Sequence, residues 1–433
     1  MIGQDEFARR RRRLMLETGD GSITLLAAAP ERRRNGDSAY RYRQDSDFHY
    51  LTGLNEPDAL LVLRPGREAG EQLLFARERD PERERWDGPR LGLEGARDQL
   101  GMDDAFPIDD LDEILPGLME GCSRIYHLVG KDATFDQRII SWRNRTRTVH
   151  KGARGPVEIV SLEVLLHEQR LIKSRDEIRC MRRAADISAR ALERAMRFCR
   201  PGMNECELMA ELLHEYCRNG CEPAYLPIVA GGPNACILHY IDNRAPLPDH
   251  GLVLIDAGCE FQGYAADISR TFPVSGHFSG AQRDLYDVVL AAQSAAIDEV
   301  RPGRPYDAFH QAAVRVLTDG LIQLGILEGS LETHLEQETY RRFYMHKTGH
   351  WLGLDVHDVG DYRIEEQPRL LEKNMVVTVE PGLYIDDGDD IPTAFRCTGI
   401  RIEDDIRVSA QAPEVLTRAM TRERVEIERL MSS

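Results

Sequence analysis

The stretch LIDAGCEFQGYAADISRTFPV, residues 254–274, carries the reading on which the fold turns. Leu252-Val253-Leu254-Ile255 is an apolar strand-sized run that ends in Asp256. Ala257-Gly258 follows, and a second strand-like segment carries Asp267. A hairpin centred between Phe261 and Gln262 would set Asp256 directly opposite Asp267, about 5 Å away on one face. Two like charges so placed repel, and burial adds a desolvation cost. A bound cation removes both penalties.

The pattern recurs downstream. Met375-Val376-Val377-Thr378-Val379 is a β-type run ending in Glu380, before Pro381-Gly382, and Gly399-Ile400-Arg401-Ile402 delivers Glu403. Any one of these four carboxylates, taken alone, reads more simply as solvated or paired with an arginine such as Arg270 or Arg401. Between the two pairs lies YMHKTGHWLGLDVHDVG, residues 344–360, with His346, His350 and His357. His346 and His350 have the spacing of a zinc-binding helix, but no glutamate follows His346 and Gly349 weakens a helix there. Four carboxylates with one or more imidazoles form an oxygen-rich donor set, which suits hard or borderline ions such as Mn²⁺. Four acidic ligands neutralise two divalent ions, and a paired-metal centre activates water and polarises a carbonyl. The residues read as a metal-assisted hydrolase without naming its substrate.

The rest of the chain sets the frame. Its 433 residues suggest two or three domains. A formal charge of −17 argues against a nucleic-acid partner. No apolar run is long enough to span a membrane, and no secretory leader is visible, so a cytoplasmic location is expected. Nine cysteines without a CxxC pair read as reduced thiols. Ser174 and Glu177 form a capping box that opens a helix stopping before Pro201-Gly202, and a second helix runs from about Glu205 to Gly220. The domain boundary is placed near residue 172. Before it, strand-sized runs at 23–29, 59–63 and 73–76 indicate an α/β domain. There the arginine run Arg9 to Arg13 reads as one solvated face of an opening helix, and residues 78–90, with Trp86, read as an exposed loop. After it, strands are expected at 227–230, 252–257, 265–272, 375–380 and 399–408, and helices at 281–300 and 306–324. This irregular alternation indicates mixed α+β. No internal repeat is visible.

Taken together, LIDAGCEFQGYAADISRTFPV, GHWLGLDVHDVG, VEPGLYI and GIRIEDDI resemble the Xaa-Pro aminopeptidases (aminopeptidase P), which share the pita-bread fold with prolidase, methionine aminopeptidase and creatinase. DSDFHYLTGLNEPDALLVL, residues 45–63, resembles the N-terminal domain of that family. The resemblance implies an α+β pita-bread catalytic domain, residues 173–433, preceded by a smaller α/β creatinase/prolidase-type domain, residues 1–172, that serves oligomerisation and walls the cleft. It implies five metal ligands: Asp256, Asp267, His350, Glu380 and Glu403. Asp267 and Glu403 would bridge two divalent ions, Asp256 and His350 would each bind one, and Glu380 would also act as general base. His239 and His357 would contact substrate near the leaving group and the tetrahedral intermediate, and His346 would line the proline site. Tyr384 and Arg401 would support these groups, and Trp86 would be lent to a neighbouring subunit's site. Peptides with proline in second position are the implied substrates, with a homo-oligomer, dimer or tetramer, as the working form. The segment AYLPIVAGG, around Leu226 and Pro227, departs from the best-known bacterial members, which bears on the pocket for the N-terminal residue. Prolidase is the nearest alternative reading, and a non-catalytic pita-bread binding protein the next. Creatinase lacks the metal set, and methionine aminopeptidase normally lacks so large an N-terminal domain.

Overall fold

The computed structural model describes residues 2–148 and 150–432. The chain divides into two compact units, Ile2–Arg170 and Leu171–Ser433.

The N-terminal unit is built on a six-stranded mixed sheet in the order Asp104–Pro107, Gln72–Ala76, Leu60–Leu63, Ser22–Ala27, Arg124–His127, Glu158–Ser161. The helices Leu111–Met119 and Ala133–Thr146 bury Leu115, Met119, Ile139 and Trp142 against Ile23, Leu25, Val62 and Phe75 of the sheet. The opening helix, Gln4–Thr18, departs from the solvated face expected of its arginines. Helical spacing sets Arg10 and Arg11 on the same side as Phe7, Leu14 and Met15, and both guanidinium groups are buried. They are tolerated because each finds acceptors. Arg10 donates to the Tyr50 carbonyl at 3.0 Å. Arg11 donates to the carbonyls of Leu51 and Leu100 at 2.9 and 3.0 Å. Trp86 sits on the single helical turn Glu84–Asp87 and is 88% exposed.

The second unit contains the same succession twice, two helices followed by paired strands, although no repeat is visible in the sequence. In its first half, Arg175–Phe198 and Glu205–Arg218 precede the three-stranded sheet of Ile228–Gly231, Leu252–Asp256 and Ser269–Pro273. In its second half, Gly280–Glu299 and Ala308–Gln323 precede the ladders Val376–Val379 with Asp404–Arg407 and Gly382–Ile385 with Thr398–Arg401. Reciprocal capping boxes start three of these helices, at Ser174 with Glu177, Asn204 with Glu207, and Ser279 with Gln282. Trp351, Phe309, Val377, Val379 and Ile406 form a buried core in the second half.

The first hairpin is not in the expected register. Asp256 pairs with Ser269 and Glu260 with Ala265, so the turn falls at Gln262-Gly263. Both turn residues have positive φ, +53° and +81°, as a tight hairpin turn demands. Asp267 thus lies two residues before the partner of Asp256, which keeps it on the same face. The ladder breaks between them where Gly258 passes the Ala266 carbonyl; a Cβ at 258 would lie 1.7 Å from that oxygen. In the second hairpin Val379 pairs with Asp404 and Gly382 with Arg401, which brings Glu380 level with Glu403 at a break in the ladder.

Candidate metal centre

Where the two hairpins break, four carboxylates converge. The Tyr225 hydroxyl oxygen lies 2.6 Å from Asp256 Oδ1 and 2.5 Å from Asp267 Oδ1. A hydroxyl has one proton and cannot donate to both. Arg401 reaches Asp256 Oδ2 at 2.7 Å and also donates to Ser269 Oγ and the Tyr384 hydroxyl, each at 2.9 Å. Ser269 in turn donates to Glu403 Oε2 at 2.7 Å. His350 donates from Nδ1 to the Trp351 carbonyl at 2.9 Å, which turns Nε2 toward Asp267 Oδ2 at 3.5 Å and Glu380 Oε1 at 3.6 Å. One ligand atom each from Asp267, His350 and Glu403 lie within 4.8 Å of one another.

The electrostatics show why this set fits a cation. Burial pushes the Glu380 carboxyl up to about 7, against the pull of His350 and Arg401. Burial, with Asp267 and Glu380 nearby, drives Glu403 well above the carboxylate range. Burial likewise raises Asp256. Burial opposes the ionised form of Asp267 too, but its contacts with His350 outweigh it and hold the carboxyl below its usual range. Burial would lower His350, yet Asp267 and Glu380 raise it to about 9. Protons and an imidazolium here balance a charge that oxygen-ligated divalent ions would balance instead. The donor set, carboxylates with one imidazole nitrogen freed by its backbone contact, fits such ions.

A cavity of about 800 Å³ opens on this cluster, with His239, His346, His357, Tyr225, Ile241 and Tyr362 in its lining. His357 is exposed, and its ring centroid lies 4.2 Å from that of His350. Burial, followed by the neighbouring His350, lowers its pKa. His346 donates from Nδ1 to the Lys347 carbonyl at 2.8 Å and accepts at Nε2 from the Tyr384 hydroxyl at 2.8 Å. Burial first, then Arg401, pushes it down to about 3, so it is neutral.

All the residues singled out from the sequence thus meet around one cavity except Trp86, which is on the N-terminal unit and exposed. The arginine pairing envisaged for a lone carboxylate holds for Asp256 through Arg401, whereas Arg270 pairs with Asp404 at 2.8 Å. Sequence reasoning missed Tyr225, Ser269, Thr378 and Asp405. Ser269 was accessible, because it is two residues beyond Asp267 and shares its face. Asp405 accepts the Asp267 N–H at 3.2 and 3.3 Å, and Thr378 accepts the His350 N–H at 3.1 Å. No local pattern announces Tyr225, which enters from the segment before the sheet.

Residues 179–410 match metallopeptidase family M24, and residues 7–126 match the aminopeptidase P N-terminal domain. The chain therefore belongs to metallopeptidase family M24, as a pita-bread α+β unit behind an α/β N-terminal domain. Within that class its likeness is to Xaa-Pro aminopeptidases from end to end. It is 44% identical to the Xaa-Pro aminopeptidase of Haemophilus influenzae, covering 100% of this chain and 98% of that one. It is 44% identical to the Escherichia coli enzyme over 99% of this chain and 98% of that one. Among solved structures, an aminopeptidase PepP from Pseudomonas aeruginosa superposes with a TM-score of 0.98 at 52% identity, covering 100% of this chain and 98% of that one. Among the described residues, no helix is long and apolar enough to cross a membrane, and all nine cysteines are free thiols.

Proposed function

We propose that the chain is an Xaa-Pro aminopeptidase, which releases the N-terminal residue from peptides carrying proline in second position. The observation that carries this reading is the five-residue cluster Asp256, Asp267, His350, Glu380 and Glu403 at the floor of a histidine-rimmed cavity, in a chain similar over its whole length to enzymes of that activity. The amide nitrogen of an Xaa-Pro bond carries no hydrogen and its ring is rigid, so cleavage needs a shaped slot and strong carbonyl polarisation.

Those five side chains would hold two divalent ions, Mn²⁺ by the oxygen-rich donor set. When bound, such ions lower the pKa of water and polarise the scissile carbonyl. Glu380, at the edge of the cluster beside His350, would take a proton from the attacking water and return it to the leaving nitrogen. His357 and His239, on the open side of the cavity, would donate to the carbonyl oxygen and to the peptide near the leaving group. Neutral His346, held by Tyr384, would form one side of the proline slot. Arg401 would keep Asp256 ionised and Tyr384 in place. Trp86, exposed on the N-terminal unit, would complete the site of a neighbouring copy in a cytoplasmic homo-oligomer, dimer or tetramer.

Comparison of kcat/KM for Ala-Pro-Ala and Ala-Pro, with Mn²⁺ supplied and bound metal counted, tests the reading. The tripeptide should be cleaved faster, with two ions per chain. Cleavage of the dipeptide alone would make the chain a prolidase, and no cleavage of either a binding protein.

A further inference from the structure

Lys173 is a buried charge outside the metal cluster. Its ammonium nitrogen lies 2.8 Å from Asp358 Oδ2, and both side chains are 1% exposed. Such a pair is often no more stabilising than apolar residues of the same volume, so stability alone does not account for it. Its surroundings suggest another use. Asp358 directly follows His357, and its N–H donates to the Trp351 carbonyl at 2.9 Å, which closes the loop that begins at His350. Gly353 is pressed against the pair: a Cβ there would lie 2.1 Å from Asp358 Oδ2 and 3.0 Å from Lys173 Cε. The Gly353 carbonyl accepts the Ala265 N–H at 2.8 Å, two residues before Asp267. The Lys173 N–H donates to the Asn374 carbonyl at 3.0 Å, at the head of the strand that leads to Glu380. One ion pair is therefore wedged among the segments that deliver His350, His357, Asp267 and Glu380.

We propose that the Lys173–Asp358 pair is a positioning strut for His357, which clamps the loop of residues 351–358 so that the imidazole stands beside His350 at the open face of the metal centre. The pair touches no substrate and acts through the loop. The inference rests on the reading of His357 as a group that stabilises the tetrahedral intermediate.

The test is a double-mutant cycle on the Mn²⁺-loaded enzyme with Ala-Pro-Ala. Its arms are the paired replacement Lys173→Met with Asp358→Leu, His357→Ala alone, and all three together. The paired replacement is expected to lower kcat about 10- to 100-fold, the scale for a misplaced catalytic group. KM and metal content should not change, and the loss should vanish in the His357→Ala background. Amide hydrogen exchange across residues 351–358 should quicken in the paired variant, with or without metal. A loss that adds to that of His357→Ala, a loss seen in KM or metal content, wild-type kcat, or unchanged exchange would each overturn the strut. Wild-type kcat in His357→Ala alone would remove the reading of His357 instead. If the paired variant does not fold, Asp358→Asn, of similar volume, carries the same cycle.

Discussion

The two halves of the catalytic unit solve one problem with different means. Each presents a broken hairpin with one carboxylate at each side of the break. In the first half, Asp256 and Asp267 are shared out among Tyr225, Arg401 and His350, and Asp267 stays ionised. In the second, burial pushes Glu380 to about 7 and Glu403 well above the carboxylate range. On the proposed reading Asp267 holds metal and Glu380 exchanges a proton, while burial raises Asp256 as it raises the glutamates. What differs is the neighbourhood: the Tyr225 hydroxyl and the Arg401 guanidinium on one side, a serine and a threonine hydroxyl on the glutamates of the other, with the His350 imidazole facing both at 3.5 and 3.6 Å.

Substitution at the two sides should separate these duties. Asp267→Asn is expected to abolish peptidase activity and to remove bound metal, because the cluster of Asp267, His350 and Glu403 would lose a charged oxygen donor. Glu380→Gln should lower kcat by about 10²–10⁴-fold, the range for losing a general base, with at least one ion retained. Metal analysis alongside kcat decides the matter. Full metal content in Asp267→Asn, or loss of both ions in Glu380→Gln, would erase the division of labour.

Close backbone crossings beside the ligands offer a second comparison. Gly258 lies against the Ala266 carbonyl in the first half, and Gly349 against the Thr378 carbonyl in the second, where a Cβ would meet the oxygen at 1.7 and 1.9 Å. Neither clash is with a flexible side-chain tip, so the backbone must shift. Gly258→Ala and Gly349→Ala should each cost about 1–3 kcal/mol or more in urea unfolding, and both should weaken metal binding. A variant that unfolds at the wild-type urea concentration would show that its crossing does not hold the centre together.

The smallest expected effect concerns acid. His310, on Ala308–Gln323 of the second half, lies 2.8 Å from Thr348 Oγ1, whereas the corresponding first-half helix carries His214 at the surface. Burial, then the charges of Lys347 and Arg341, lower the pKa of His310 from 6.5 to about 4. Below 6.5 the unfolded chain takes the proton more readily than the folded one, so the stability due to neutral His310 is complete above that pH. It declines as the pH falls toward 4, by at most about 3 kcal/mol. His310→Phe should flatten that limb in unfolding measured from pH 7 to 4. An unchanged slope would assign the acid sensitivity to other groups.

Much of the metal centre was legible because its signals are local. Asp256, Glu380 and Glu403 end apolar runs, three histidines crowd into residues 344–360, and Ser174 with Glu177 marks the start of the first long helix by a contact three residues apart. These follow from periodicity and capping, which short windows of sequence contain. The hairpin register was misjudged by two residues because it depends on where the turn accepts positive φ, at Gln262 and Gly263. The solvated reading of Arg10 and Arg11 failed because their acceptors, the carbonyls of Tyr50, Leu51 and Leu100, are on other elements.

The sequence by itself determined which residue types could bind metal and where helices and strands begin. Only the tertiary structure decided which of them meet. Arg401 and Asp256 are 145 residues apart, Lys173 and Asp358 are 185 apart, and Tyr225 reaches Asp267 across 42. Charge pairing falls off over a few ångströms, so a partner is defined by packing and not by sequence distance. The likeness of the two halves belongs to the tertiary structure for the same reason: a fold repeats its backbone ladders without repeating the side chains that fill them.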